Sequence, residues 1–233
     1  SGLTYNDDNG QAIRTEYCVS LQNVGNMPKL ASGGRVMFYK CSALKSVGNL
    51  SSLTVIPDSM FEGASSLTSL GDLSSVTSIS KRAFHSCSSL KRLNNLSSLR
   101  TIGERAFCNC SALVNVSSLS GVTSIGDSAF YGCRSLTSLG SLSSIISIDQ
   151  WAFTNCTSLE SVGNMNYLTS LGNRAFQGCT SLISVGNMPK LTQIGENAFA
   201  NCSALASVGS LSSVTSIGDH AFLSCGSLKT IGS

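Results

Sequence analysis

One spacing governs this chain. All nine phenylalanines fall 23 residues apart, at Phe38, Phe61, Phe84, Phe107, Phe130, Phe153, Phe176, Phe199 and Phe222. Nine of the ten cysteines keep the same step three residues later, at Cys18, Cys41, Cys87, Cys110, Cys133, Cys156, Cys179, Cys202 and Cys225. A fixed period of this length is the signature of a solenoid, whose coils bury their apolar sides only by stacking on their neighbours. The expected organisation is an irregular or capping segment over 1–17, followed by one continuous solenoid over 18–233. That solenoid has about nine coils, the last of them truncated.

Counted from the grid cysteine as zero, position 3 is Leu in every coil, from Leu21 to Leu228. Positions 6, 9, 12 and 15 are also apolar, as in Leu139, Leu142, Ile145 and Ile148. Ala and Phe follow at 19 and 20, as in Ala152 and Phe153. Spacing by three fits neither a helical stripe nor strand alternation. It suits short extended segments joined by tight bends, and glycines at positions 7 and 16 (Gly48 and Gly126, for example) read as corners with positive φ. After the second corner an acidic residue such as Asp127 or Glu104 can cap amides, and positions 19, 20 and 23 share one helical face. The reading is therefore an α/β solenoid: strands at 3–6 and 12–15, a short helix at 17–22, and a parallel sheet advancing roughly 4.8 Å per coil.

The stretch Val122–Leu139, with Ile125, Gly126, Ala129, Phe130, Cys133 and Leu136 in place, resembles the BspA-like, Treponema-type leucine-rich repeat family. The match is to the block Leu-x-x-Ile-Gly-x-x-Ala-Phe-x-x-Cys-x-x-Leu-x-x-Val, and it extends over about residues 38 to 231. The resemblance implies a right-handed leucine-rich-repeat coil. Proline departs from the family pattern, sitting at position 10 (Pro28, Pro189) rather than 9. The family is similar to secreted and cell-surface proteins that bind host or matrix proteins as part of a larger modular chain. The resemblance thus implies an extracellular or surface location and a protein ligand. The opening Ser1-Gly2 resembles a cleavage scar, and the end part-way round a coil reads as a fragment of a longer protein.

Composition narrows the function classes. Charged residues are 12% of the chain and the net charge is +3, which implies neither a nucleic-acid nor an acidic-membrane partner. No apolar run reaches the length of a membrane span, so no membrane insertion is expected. The 46 serines are interrupted by apolar residues about every third position, which distinguishes the chain from disordered sequence. Stacked cysteines lie about a strand spacing apart, beyond the roughly 3.8 Å Cβ separation a disulfide prefers, and Ala64 replaces one of them. The column therefore reads as core, with free thiols. Cys108 lies off the grid and reads as an exposed thiol on the outer side.

Catalysis finds no support. His85 and His220 are six coils apart, roughly 30 Å, and cannot share a metal or a dyad. No nucleophile elbow, phosphate loop or dinucleotide motif is present, so no enzyme, metal or cofactor is expected. Six Asn-x-Ser/Thr sequons (Asn49, Asn95, Asn109, Asn115, Asn155, Asn201) follow from the abundance of serine. The cations Lys81, Arg82, Lys91, Arg92, Arg100 and Arg105 fall on three sides of the coil and read as solvated surface rather than a phosphate groove.

Irregular outward columns carry the functional signal. Positions 17, 18 and 21 vary, whereas 13 and 14 are mostly Thr-Ser. Trp151, the only tryptophan, occupies position 18, with Tyr131 one coil earlier, Arg105 and Arg174 nearby, and His85 further along. Such a group has hot-spot chemistry for a protein partner. The bland alternative is that Trp151 folds over a coil junction. A rival face is the strand side at positions 4 and 5, with Lys45, Lys91, Arg92, Glu160 and Ile183. Two other functions remain open: a spacer or stalk without a ligand, and ice or crystal-surface binding. The second rests on the column Thr54, Thr77, Thr123, Thr169, Thr192 and Thr215, which Arg100 and Ile146 interrupt.

Overall fold

Most 23-residue coils contribute two very short strands, because Ser-Val or Ser-Ile pairs put a β-branched side chain inward and a small polar one outward. The computed structural model describes residues 4–6, 12–14, 18–116 and 119–232. Of the expected N-terminal segment, Thr4–Asn6 pairs antiparallel with Ala12–Arg14, and the rest lies outside the described residues, as do Ser117, Ser118 and Ser233.

The strands stack in parallel with a register of one coil, as in Ser124 opposite Ser147 and Ile125 opposite Ile148. Positions 14 and 15 form one unbroken eight-stranded sheet from Val55–Ile56 to Ser216–Ile217. Positions 5 and 6 form a second file, divided into three-, two- and four-stranded sheets. Its strands run from Asn23–Val24 to Thr230–Ile231. Each strand is two residues long, shorter than the spans 3–6 and 12–15 that the spacing suggests.

The expected helix at positions 17–22 does not form. Among the described residues that segment is a run of turns in every coil, so the fold is a parallel β-solenoid rather than an α/β one. The reason lies in where the amides go. In one coil the amides of Arg82, Phe84 and Ser86 donate to the carbonyls of Glu104, Ala106 and Cys108 in the next. The intervening amides of Ala83, His85 and Cys87 close local turns onto the carbonyls of Ser80, Arg82 and Phe84 respectively, at 3.0–3.3 Å. Alternation between neighbour and local turn leaves no i→i−4 ladder. Phe rings of successive coils stack at 5.0–5.4 Å, far closer than the roughly 8–10 Å that packed helix axes need.

Turn chemistry also differs from expectation. Positive φ occurs chiefly at positions 18 and 22, as at Arg82, Trp151, Asn109 and Gly132; of the glycines at positions 7 and 16 only Gly140 and Gly232, both at position 7, adopt it. Gly126 serves a different purpose: a Cβ there would lie 2.8 Å from the amide nitrogen of Glu104 in the coil below. Close coil-to-coil approach, not a left-handed corner, selects glycine at this position.

Inside, one continuous apolar core runs from Phe38 to Ala221. Its axis is the phenylalanine file, with neighbouring rings 1–14° from parallel. All ten cysteines are free thiols. Most interior thiols also have a direction: Cys133 Sγ donates to the carbonyl of Phe107 at 3.1 Å, and Cys110, Cys156 and Cys179 make the equivalent contact in their own coils.

Candidate functional site

Position 18 is the outward corner of the turn segment. Its residue adopts positive φ, its carbonyl accepts the amide of position 21, and its own amide reaches the next coil. For Trp151 these are φ 54, a bond from the Thr154 amide at 3.1 Å, and a bond to the Asn173 carbonyl at 2.9 Å. The backbone thus fixes the Cβ direction of every position-18 side chain, and successive coils display them as a column.

Trp151 is half-buried. The Arg174 guanidinium lies over its ring, 5.9 Å from the centroid, within the range of a cation–π contact. Arg174 Nη2 also lies 3.4 Å from Glu196 Oε1, so Trp151, Arg174 and Glu196 are linked across three coils. The indole is therefore partly packed over a junction and partly open to solvent. Tyr131 is 36% exposed at position 21. Its neighbour in that column, Thr154, is buried, with its hydroxyl donating to the Arg174 carbonyl at 2.6 Å.

The other expected site residues lie on the same face without converging. Arg105 is half-buried, 3.9 Å from Glu104. His85 Nδ1 lies 3.6 Å from Glu62 Oε1, and burial pushes its pKa down against the pull of Glu62, with Arg82 and Arg105 adding to the depression. The imidazole is accordingly neutral at neutral pH, and its contact with Glu62 is not an ion pair. Cys108 corrects an expectation: the thiol is buried at 6% exposure between the charges of Arg82 and Arg105, and burial raises its pKa. Position 21 is mixed: Cys108, Thr154 and Ala200 are buried there, whereas Tyr131 and Leu223 are exposed.

On the rival face Lys45, Lys91, Arg92 and Glu160 are all exposed. Glu160 stands three coils from Lys91, with Val114 and Thr137 between, so the four do not form one cluster. Ile183, one coil further, is 54% exposed. In the threonine column, the hydroxyls of Thr77, Thr123, Thr169 and Thr215 donate to carbonyls of the preceding coil. A further pair was not singled out from sequence: Tyr167 with Lys190 Nζ 4.4 Å from its ring centroid. Both sit at position 11, otherwise mostly serine, and that departure was the available signal.

Among the described residues no group of three or more His, Cys, Asp or Glu side chains is placed to hold a metal ion. Among them, too, no helix is long and apolar enough to cross a membrane.

A family model for the BspA type leucine-rich repeat region matches residues 16–114 and 123–232 in six copies. The fold is similar to that of a leucine-rich repeat protein of T. pallidum, with TM-score 0.54 and 22% identity over 98% of this chain and 88% of that one. A leucine-rich cell surface protein of Faecalibacterium prausnitzii aligns with TM-score 0.41 and 21% identity, covering 91% of this chain and 79% of that one. The pneumococcal vaccine antigen PcpA aligns with TM-score 0.38 and 17% identity, covering 98% and 82%. No curated protein matches the chain.

Proposed function

The chain belongs to the BspA-type leucine-rich repeat family, and from that premise we propose that it is a non-enzymatic module of a secreted or surface protein that binds a protein ligand, as in adhesion to a host, matrix or cell-surface protein. The proposed contact is the turn face, centred on Trp151 and Tyr131 and extended by Arg105, Arg174 and His85. One observation carries this choice of face. Trp151 puts the only tryptophan, half-buried beneath the Arg174 guanidinium, at a left-handed position, φ 54, where other coils carry Val, Ser, Arg, Asn or His. A bulky residue there costs about 1–2 kcal/mol relative to the favoured right-handed region, and Asn tolerates it best after Gly. What sets Trp151 apart is its side chain: a lone indole in an otherwise mostly polar column, with the stacked Arg174 guanidinium holding the ring, is hot-spot chemistry.

The test separates folding from binding. Trp151→Asn relieves backbone strain and removes a partial burial of similar size, so the unfolding temperature should stay nearly constant. Wild-type protein and this variant are screened by surface plasmon resonance against purified matrix and host-surface proteins. A ligand bound by the wild type should lose 2 kcal/mol or about thirtyfold in affinity with Trp151→Asn or Tyr131→Ala, as hot spots do. Lys91→Ala with Arg92→Ala should leave it unchanged. Loss in the second pair alone moves the site to the strand face of Lys45, Lys91, Arg92 and Glu160. A spacer role is favoured by the uninterrupted phenylalanine stack, and it is the reading left if no ligand binds.

A further inference from the structure

A basic hollow lies nearer the N-terminal end of the turn face. Three successive coils supply its lining from positions 17 and 18: Arg35 and Val36, Asp58 and Ser59, Lys81 and Arg82, around a concavity of about 170 Å³. Three cations face one carboxylate. Arg35 and Asp58 lie 3.6 Å apart with side chains 73% and 39% exposed, so water screens their attraction. Lys81 reaches out of the hollow to Glu104 at 2.7 Å. The Ser59 hydroxyl is turned to Glu62.

Arg82 is the anomaly. Its Nε is the one buried side-chain nitrogen or oxygen among the described residues that has no hydrogen-bond partner. A buried donor left unmade costs about 1–3 kcal/mol, and more on a charged group. No acceptor of the fold holds the guanidinium in place through that atom, so turning the fork toward the mouth of the hollow breaks no bond at Nε. A guanidinium presents Nε and one Nη as a planar pair matched to the two oxygens of a carboxylate.

We propose that the hollow bounded by Arg35, Lys81 and Arg82 binds a single carboxylate on a protein partner, with Arg82 as the bidentate anchor. Size favours this occupant: about 170 Å³ admits one carboxylate group but not a run of sulfated sugar rings. Charge fits a monoanion as well: Arg35 and Lys81 already face Asp58 and Glu104, which leaves Arg82 as the lining cation with no ion pair among the described residues. The source of the carboxylate rests on reading this face as protein-binding; the oxyanion site itself does not.

The test therefore uses a small probe on the full ¹⁵N-labelled chain, followed through the arginine Nε–H resonances. N-acetylglutamate α-amide should shift the Arg82 Nε–H signal saturably. Arg82→Lys, which keeps the charge and loses the fork, should weaken binding about tenfold. Arg35→Gln, on an exposed side chain, should weaken it in the same direction with an unchanged unfolding temperature. Absence of a saturable shift overturns the site, as does undiminished binding by both variants. Inorganic phosphate or a heparin disaccharide saturating the same signal at lower concentration overturns the carboxylate assignment. Probe binding alongside failure of every protein ligand at Trp151 upholds the site and removes only the wider reading of the face.

Discussion

Cysteine illustrates how much a single position does here. As a small apolar residue it fills the core, and Ala64 can take its place. Its thiol also bonds the phenylalanine carbonyl of the preceding coil at 3.0–3.2 Å, joining coils at a point where no strand pairs. Burial pushes the thiols of Cys87, Cys133 and Cys179 well up, and those of Cys41 and Cys225 up to about 11. Protonated, buried sulfur is a poor nucleophile. In the native protein at mildly alkaline pH, a thiol reagent should therefore label Cys18, the exposed one, ahead of all others. Denaturation without reductant should release ten reactive thiols, and a smaller number would contradict the free-thiol core. The packing role was legible from the 23-residue step. The bond to the Phe carbonyl was not, because it depends on which backbone oxygen lies within reach once the coils stack.

The turn segment is where sequence reading and structure part. Ala-Phe-x-x-Cys spacing is compatible with a helical turn, and an acidic residue before it suggested a cap. Position 22 held the contrary signal: Gly63, Asn109, Gly132, Asn155, Gly178 and Asn201 are residues that favour positive φ, and they adopt it. Position 18 gave no such warning, since Arg82, Arg105 and Trp151 adopt positive φ while their own amides bond the neighbouring coil. His85 in this segment yields a pH prediction. Burial holds it below its ordinary value of 6.5, so the folded state binds fewer protons than the unfolded chain as pH falls through that value. Its contribution to stability is fully present above about pH 6.5 and declines on acidification. Urea midpoints measured from neutral to mildly acidic pH should fall more steeply for the wild type than for His85→Gln. Equal slopes would show that the imidazole is not held neutral.

At the scale of the molecule, stability is a sum over coils and their junctions, because each coil touches only its neighbours. Removing residues 133–155 joins Gly132 to Cys156 in the place of Cys133 and keeps every file in register. That deletion should preserve cooperative unfolding and the shape of the far-UV spectrum. Removing residues 133–144 alone breaks the register and should abolish both; equal outcomes would deny that the coil is the unit of folding. The files of Leu, Ile, Phe and Cys made this architecture readable in advance, whereas the absence of helix follows from packing distance, which no residue pattern states. The central claim is that successive coils sit in register through backbone bonds on the turn face itself. Scalar couplings across hydrogen bonds test it directly. The amides of Phe61, Phe84, Phe107, Phe130, Phe153, Phe176 and Phe199 should each couple to the alanine carbonyl one coil on, from Ala83 to Ala221. Couplings from these amides to carbonyls four residues earlier in the same coil would instead reveal helices and contradict the account.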